Sequence, residues 1–275
     1  MNTKHQVKHK YHLVDPSPLP LMAAVSLLIL VIGAVMFMHG YRFGTLVFGV
    51  GFSTVLAVMG CWWKTVIKEG RTDHAHTHVV RRGLSLGMLL FIVSEVMFFF
   101  VFFWSFFNSS LFPADVLGGE TWAIKKGVWP PEGIKTLDPW NIPFLNTLIL
   151  LLSGTTVTWA HYSLIANNQK DLKLALLITV LLGLLFSLFQ VYEYYHAEFH
   201  WKDGIFASNF YMVTGFHGFH VLVGTIFLFV CLLRAKQGHF TKGHGHLGFE
   251  FAAWYWHFVD VVWLFLFVFV YVWGR

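Results

Sequence analysis

Residues 83–107 read GLSLGMLLFIVSEVMFFFVFFWSFF, and 24 of these 25 positions carry no charge. A helix rises about 1.5 Å per residue, so a run of this length crosses a hydrocarbon core of about 30 Å with some tilt to spare. The one charge is Glu95, at the midpoint. A lone carboxylate at that depth costs several kcal/mol, so it must face protein, carry a proton or have a partner. The plain expectation is a neutral Glu95 hydrogen-bonded to a neighbouring helix. The functional alternative is proton handling or the docking of a partner.

The rest of the chain has the same character. Of its 275 residues 56% are hydrophobic and 12% charged, half the charge of a typical soluble domain. The 30 phenylalanines and 12 tryptophans suit lipid-facing helices with aromatic belts. The formal net charge of +5 suits loops that meet anionic headgroups, and no nucleic-acid partner is needed to explain it. Seven apolar runs stand out, at about 19–39, 44–66, 83–107, 141–166, 172–197, 206–235 and 249–274. The expected fold is therefore an all-α integral membrane protein with seven transmembrane helices. The first run is too long for a signal-peptide core, and no cleavage site follows it, so it reads as a retained span.

The polar stretches divide the chain. Residues 1–18 form a tail ending in DPSP. Residues 67–82 form a histidine-rich linker between helices 1–2 and helices 3–7. Residues 108–140 form a long loop whose GG, WPP and DPW mark turns. Lysine and arginine set the orientation. With the N-terminus inside, thirteen of nineteen fall in inside segments: Lys4, Lys8, Lys10, Lys64, Lys68, Arg71, Arg81, Arg82, Lys170, Lys173, Arg234, Lys236 and Lys242. The expectation is N-terminus inside and C-terminus outside. Cys61 and Cys231 sit in apolar runs near the inside face and read as small apolar side chains, not a disulfide.

Counting from helix ends puts Glu95, His220 and Asp260 at one depth, and a bond between Glu95 and His220 would remove much of the penalty on both. Asp260 reads as bonded to nearby Trp or His donors. His217 and His220 share a helix face by their i, i+3 spacing. A metal or haem site there lacks the rest of its ligands, so structural hydrogen bonding is favoured. His161, Glu193 and His257 lie near helix ends and read as interface anchors. No catalytic and no metal-ligating residue is assigned. No mid-helix lysine is present to carry a retinal Schiff base, and no ladder of carboxylates marks an autonomous pump. A freestanding transporter or channel, and a bis-histidine haem protein, stay as alternatives. Nine of the sixteen histidines fall in inside segments: His5, His9, His12, His74, His76, His78, His239, His244 and His246. Such a surface exchanges protons near neutral pH.

Several stretches carry a resemblance. They are LFIVSEVMFFFVFFW at 90–104, GVWPPEGI at 127–134, NTLILLLSG at 146–154, VTWAHYSL at 157–164, YMVTGFHGFHVLVGTIFLFVCLLR at 211–234 and the closing GFEFAAWYWHFVDVVWLFLFVFVYVWGR. In this order they resemble subunit III of haem–copper cytochrome c oxidase, nearly end to end from YHLVDPSPLP onward. The departures are the N-terminal histidine-rich tail and ETWAIKK at 120–126. The resemblance implies a subunit with no redox centre, beside a catalytic subunit I with haem and copper and a copper-bearing subunit II, in a complex that takes electrons from cytochrome c, reduces dioxygen and pumps protons. It implies helices 1–2 splayed from a five-helix bundle, with phospholipid in the cleft. Lipid contacts carry over to Trp63, Glu69, His76, Arg234 and His239, and to Lys236, which is displaced by one position. It makes Glu95 the family's buried reactive carboxylate, and the inside histidines a candidate proton-collecting surface. The form of the 108–140 loop resembles bacterial members, so a bacterial plasma membrane is expected, with the mitochondrial inner membrane as the alternative.

Overall fold

The computed structural model describes residues 11–71, 76–113, 127–240 and 246–275. Seven helices follow in order: α1 Leu19–Met38, α2 Gly44–Arg71, α3 His78–Leu111, α4 Ile142–Ile165, α5 Gln169–His196, α6 Ile205–Lys236 and α7 Leu247–Phe265. The last continues as a wider π-helical turn, Leu266–Trp273. No strand occurs among the described residues. Each of the seven is long and apolar enough to cross a membrane. Their exposed faces carry leucine, valine and phenylalanine, such as Leu28, Val31, Leu90 and Leu188, which is stable in lipid and not in water.

Helix ends run past the apolar runs in two places, and in one of them α3 continues to Leu111, four residues into the loop expected at 108–140. The linker expected at 67–82 is mostly helical, because α2 runs on to Arg71 and α3 begins at His78. Lysine, arginine and glutamate are good helix formers, so charge marks where a helix leaves the membrane, not where it stops. Residues 72–75 and the ETWAIKK stretch lie outside the described residues.

The chain divides into two compact units, residues Met1–Leu84 and Ser85–Arg275. In the first, α1 and α2 form a hairpin. The turn is made by Gly40, whose φ of 72° only glycine adopts readily, with the Tyr41 amide donating to the Met36 carbonyl at 3.0 Å. The two helices then touch backbone to backbone. A Cβ on Gly51 would stand 2.5 Å from the Leu30 backbone, one on Gly44 2.5 Å from the Phe37 nitrogen, and one on Gly33 would strike Phe48. Ser26 and Gly33 on α1, and Gly44, Gly51 and Val58 on α2, are the buried positions, each seven residues from the next. Small residues two turns apart are what lets membrane helices pack this closely, where no hydrophobic drive favours one apolar contact over another.

In the second unit α4, α5, α6 and α7 surround a core of Trp256, Trp263, Phe186, Leu176 and Leu228. Each pair of neighbours is pinned by a polar bond. The Trp256 Nε1 donates to Ser153 Oγ and the Trp263 Nε1 to Thr147 Oγ1, both at 2.9 Å, joining α7 to α4. Thr156 meets Thr179 at 2.8 Å between α4 and α5, and Tyr194 meets Thr214 at 2.6 Å between α5 and α6. Residues 85–111 of α3 meet α6 and α7 through long aromatic side chains, including Phe98 on Phe216 and Phe99 on Phe258. The described end of the 108–140 loop lies over the helix ends. There the Trp129 ring lies against Phe106 and Phe206, and its Nε1 donates to the Gly274 carbonyl.

Candidate functional site

Three positions on three helices were expected at one depth, and the structure brings two of them together. His220 on α6 and Glu95 on α3 meet with Nε2 2.7 Å from Oε2. The His220 side chain is 8% exposed and that of Glu95 21%. The proton count follows from the other ring nitrogen. His220 Nδ1 lies 2.7 Å from the Phe216 carbonyl oxygen, which can only accept, so Nδ1 carries a hydrogen. If the imidazole is neutral, Nε2 accepts and Glu95 donates from a protonated carboxyl. If the imidazole is charged, Nε2 donates to a carboxylate. Either way one proton lies between Glu95 and His220, and the pair is neutral as a whole. Phe99, Phe98, Phe219 and Tyr255 ring the histidine, with Phe99 edge-on at 5.0 Å. This apolar collar excludes water and strengthens the bond it surrounds.

Asp260 is elsewhere. It is buried on α7, and its Oδ2 lies 3.4 Å from Nδ1 of His257 one turn back. His257 Nε2 reaches Thr158 Oγ1 on α4 at 3.3 Å. The Asp260 carboxylate fills the space left by Gly154, where a Cβ would come within 2.5 Å of Oδ2. Counting from helix ends says nothing of the angle around the helix axis, and Asp260 pairs toward α4. His217 turns away from His220. It is buried, donates from Nε2 to the Val259 carbonyl at 3.2 Å, and lies against Phe186 and Trp263.

Two expected interface anchors are corrected. Glu193 is 3% exposed, inside the bundle, and accepts a hydrogen bond from Tyr271 at 2.6 Å with Gln190 Nε2 at 3.4 Å. The π-helical continuation of α7 supplies Tyr271 and covers that carboxylate, which counting turns on α5 alone does not reveal. His257 belongs to the Asp260 pair at mid-helix, as above. A further polar tie went unnoticed in the sequence. Ser105 Oγ on α3 donates to Asn209 Oδ1 on α6 at 2.7 Å, and the Asn209 amide reaches Ser109. The signal was available, since Ser105 and Ser109 are four apart on one face of α3.

The six positions expected to contact lipid fall on both units. In the second unit α6 ends with Gly238 at φ 70°, and the His239 amide donates to the Arg234 carbonyl at 2.9 Å. That reversal places both side chains at one helix end. The Arg234 guanidinium lies 4.8 Å from the centre of the buried Phe240 ring and against Gly248, while Lys236 is exposed. In the first unit Trp63 is exposed on α2, and Glu69 and His76 are half-buried near its end. Burial and then the nearby His12 ring hold the His76 imidazole below its ordinary range, with Glu69 acting in the opposite sense.

Fold and site together define a polytopic α-helical membrane protein with an intramembrane carboxylate neutralised by a histidine of its own bundle. A family model described as cytochrome c oxidase subunit III matches residues 9–275. A probable cytochrome c oxidase subunit 3 of Rickettsia felis is 61% identical over 253 residues, covering 92% of this chain and 91% of its own. Cytochrome c oxidase subunit 3 of Chondrus crispus is 53% identical over 272 residues, 99% of this chain and 97% of its own, and that of Arabidopsis thaliana 54% over 267 residues, 97% of each. The chain belongs to the cytochrome c oxidase subunit III family, and with it to an oxidase complex.

Proposed function

We propose that this chain is the non-catalytic third subunit of a proton-pumping terminal oxidase. It stands beside a haem–copper subunit I and a copper-bearing subunit II, in a complex that takes electrons from cytochrome c and reduces dioxygen to water. The observation that carries the reading is the family match across residues 9–275. The geometry supports a structural role. Glu95 is neutralised within the chain, His220 is bonded at both ring nitrogens, and His217 is bonded through Nε2. Phospholipid is held by Arg234, Lys236 and His239 on the second unit and by Trp63, Glu69 and His76 on the first. A guanidinium and an ammonium suit phosphate oxygens, and an exposed tryptophan suits the membrane interface. The inside histidines collect protons for the catalytic subunit. The membrane is a bacterial plasma membrane or, as the algal and plant relatives also fit, a mitochondrial inner membrane.

The test is purification through a tag on this chain in mild detergent. Haem and copper are expected to co-purify, and the chain separated from its partners is expected to show no Soret band. A Soret band from the isolated chain, or substrate flux when it alone is placed in liposomes, would overturn the reading.

A further inference from the structure

Three side chains of the first unit converge from separate stretches: His12 in the lead-in to α1, Glu69 in the last turn of α2, and His76 two residues before α3. One ligand atom of each lies within 4.8 Å of the other two, and all three residues are half-buried. The two imidazoles meet edge to face with ring centres 5.9 Å apart. The backbone is shaped to admit this. Residue 70 is a glycine, disfavoured inside a helix, and a Cβ there would stand 2.5 Å from His76 Nδ1. The missing side chain lets the imidazole lie against α2 beside Glu69. On its other side the His76 carbonyl accepts from Arg81 Nε at 3.2 Å, which fixes the backbone that carries the ring.

We infer that His12, Glu69 and His76 bind one divalent transition-metal ion of the zinc class. Two neutral imidazoles and a carboxylate are a recurring donor set for such ions, with a fourth position left to water. An ion at the centre of a triangle with sides of at most 4.8 Å stands at most about 2.8 Å from each donor, against about 2.0–2.2 Å in a formed site. Rotation of three partly exposed side chains closes that gap without moving a helix. A hard ion such as calcium would call for six or more oxygens and finds one carboxylate here. The ion ties the N-terminal lead-in to the end of α2 and the start of α3. The inference goes beyond the subunit reading. Glu69 and His76 also belong to the proposed lipid set, and His12 does not.

The experiment is zinc titration of the full chain, purified with whatever subunits accompany it, against a chromophoric chelator, with X-ray absorption at the zinc edge and bound phosphorus measured on the same samples. One equivalent is expected, with imidazole and oxygen donors at about 2.0–2.1 Å. His12→Ala, Glu69→Gln and His76→Ala should each weaken it at least tenfold, the least that even changes outside the ligand sphere cost. His78→Ala, an exposed histidine two positions on, should leave it unchanged. Glu69→Gln keeps size and shape, so its loss of zinc is not a loss of fold. Equal affinity across the variants, or a decline shared equally by His78→Ala, would overturn the assignment. His12→Ala is expected to lose zinc and keep its phospholipid, and a joint loss of both would also overturn it. Co-purification of haem and copper tests the subunit reading separately.

Discussion

At the scale of single residues the decisive fact is the bond between Glu95 and His220. Its strength comes from where it lies, because water cannot substitute for either partner inside the aromatic collar of α3, α6 and α7. His220→Leu strands the carboxyl against apolar side chains and is expected to cost about 1–3 kcal/mol, read as a lower midpoint in a thermal melt of the detergent-solubilised protein. Glu95→Gln keeps a donor for Nε2 and should cost much less. A cycle through both leucine substitutions should show a coupling of about 0.5–3 kcal/mol, whereas additive losses would mean the two side chains do not depend on each other. Equal depth, counted from the helix ends, was enough to find this pair. It was not enough for Asp260, because depth fixes height in the membrane and leaves the rotation of each helix open. Which neighbour a polar group meets is set by packing, and here the absence of a side chain at Gly154 draws Asp260 toward α4.

At the scale of elements the helices were legible because long apolar runs have few alternatives in a membrane. Their junctions were less so. The charged residues from 67 onward read as linker, yet they extend α2 to Arg71, since the same side chains that dislike lipid favour helix. The α1–α2 seam is the clearest case of a signal present but unread. Ser26 and Gly33, and Gly44, Gly51 and Val58, recur every seven residues, and the structure shows why. Gly51→Leu would drive a side chain into the Leu30 backbone and should separate the hairpin or lower its melting point. Gly49→Leu, two positions away with nothing within 4 Å of its Cβ, should be silent. If both behave alike in a cross-linking assay between α1 and α2, the seam is not what holds the hairpin. The gathering of His12, Glu69 and His76 was beyond the sequence for a related reason. These residues are 57 and 7 positions apart, and only the hairpin brings the first to the other two.

At the scale of the whole molecule the chain is built to serve redox chemistry carried by its neighbours. The inside histidines should matter for supply of protons when protons are scarce. Replacing those at 5, 9, 12, 74, 76 and 78 by glutamine removes six of these imidazoles, so turnover of the complex should fall at high pH and change little at low pH, where bulk protons suffice. An unaltered pH–rate profile would dispose of that role. The family was legible because its motifs fall in order on helices that the apolar runs had already placed. The partners were not, since the side chains that would face them are the same leucines and phenylalanines that face lipid. The most direct measurement removes the chain from the purified oxidase, counts the metal centres, follows turnover, and adds the chain back. The depleted complex should keep all its haem and copper, reduce dioxygen with slower proton uptake, and recover on reconstitution. Loss of a haem or a copper ion along with the chain would contradict the account.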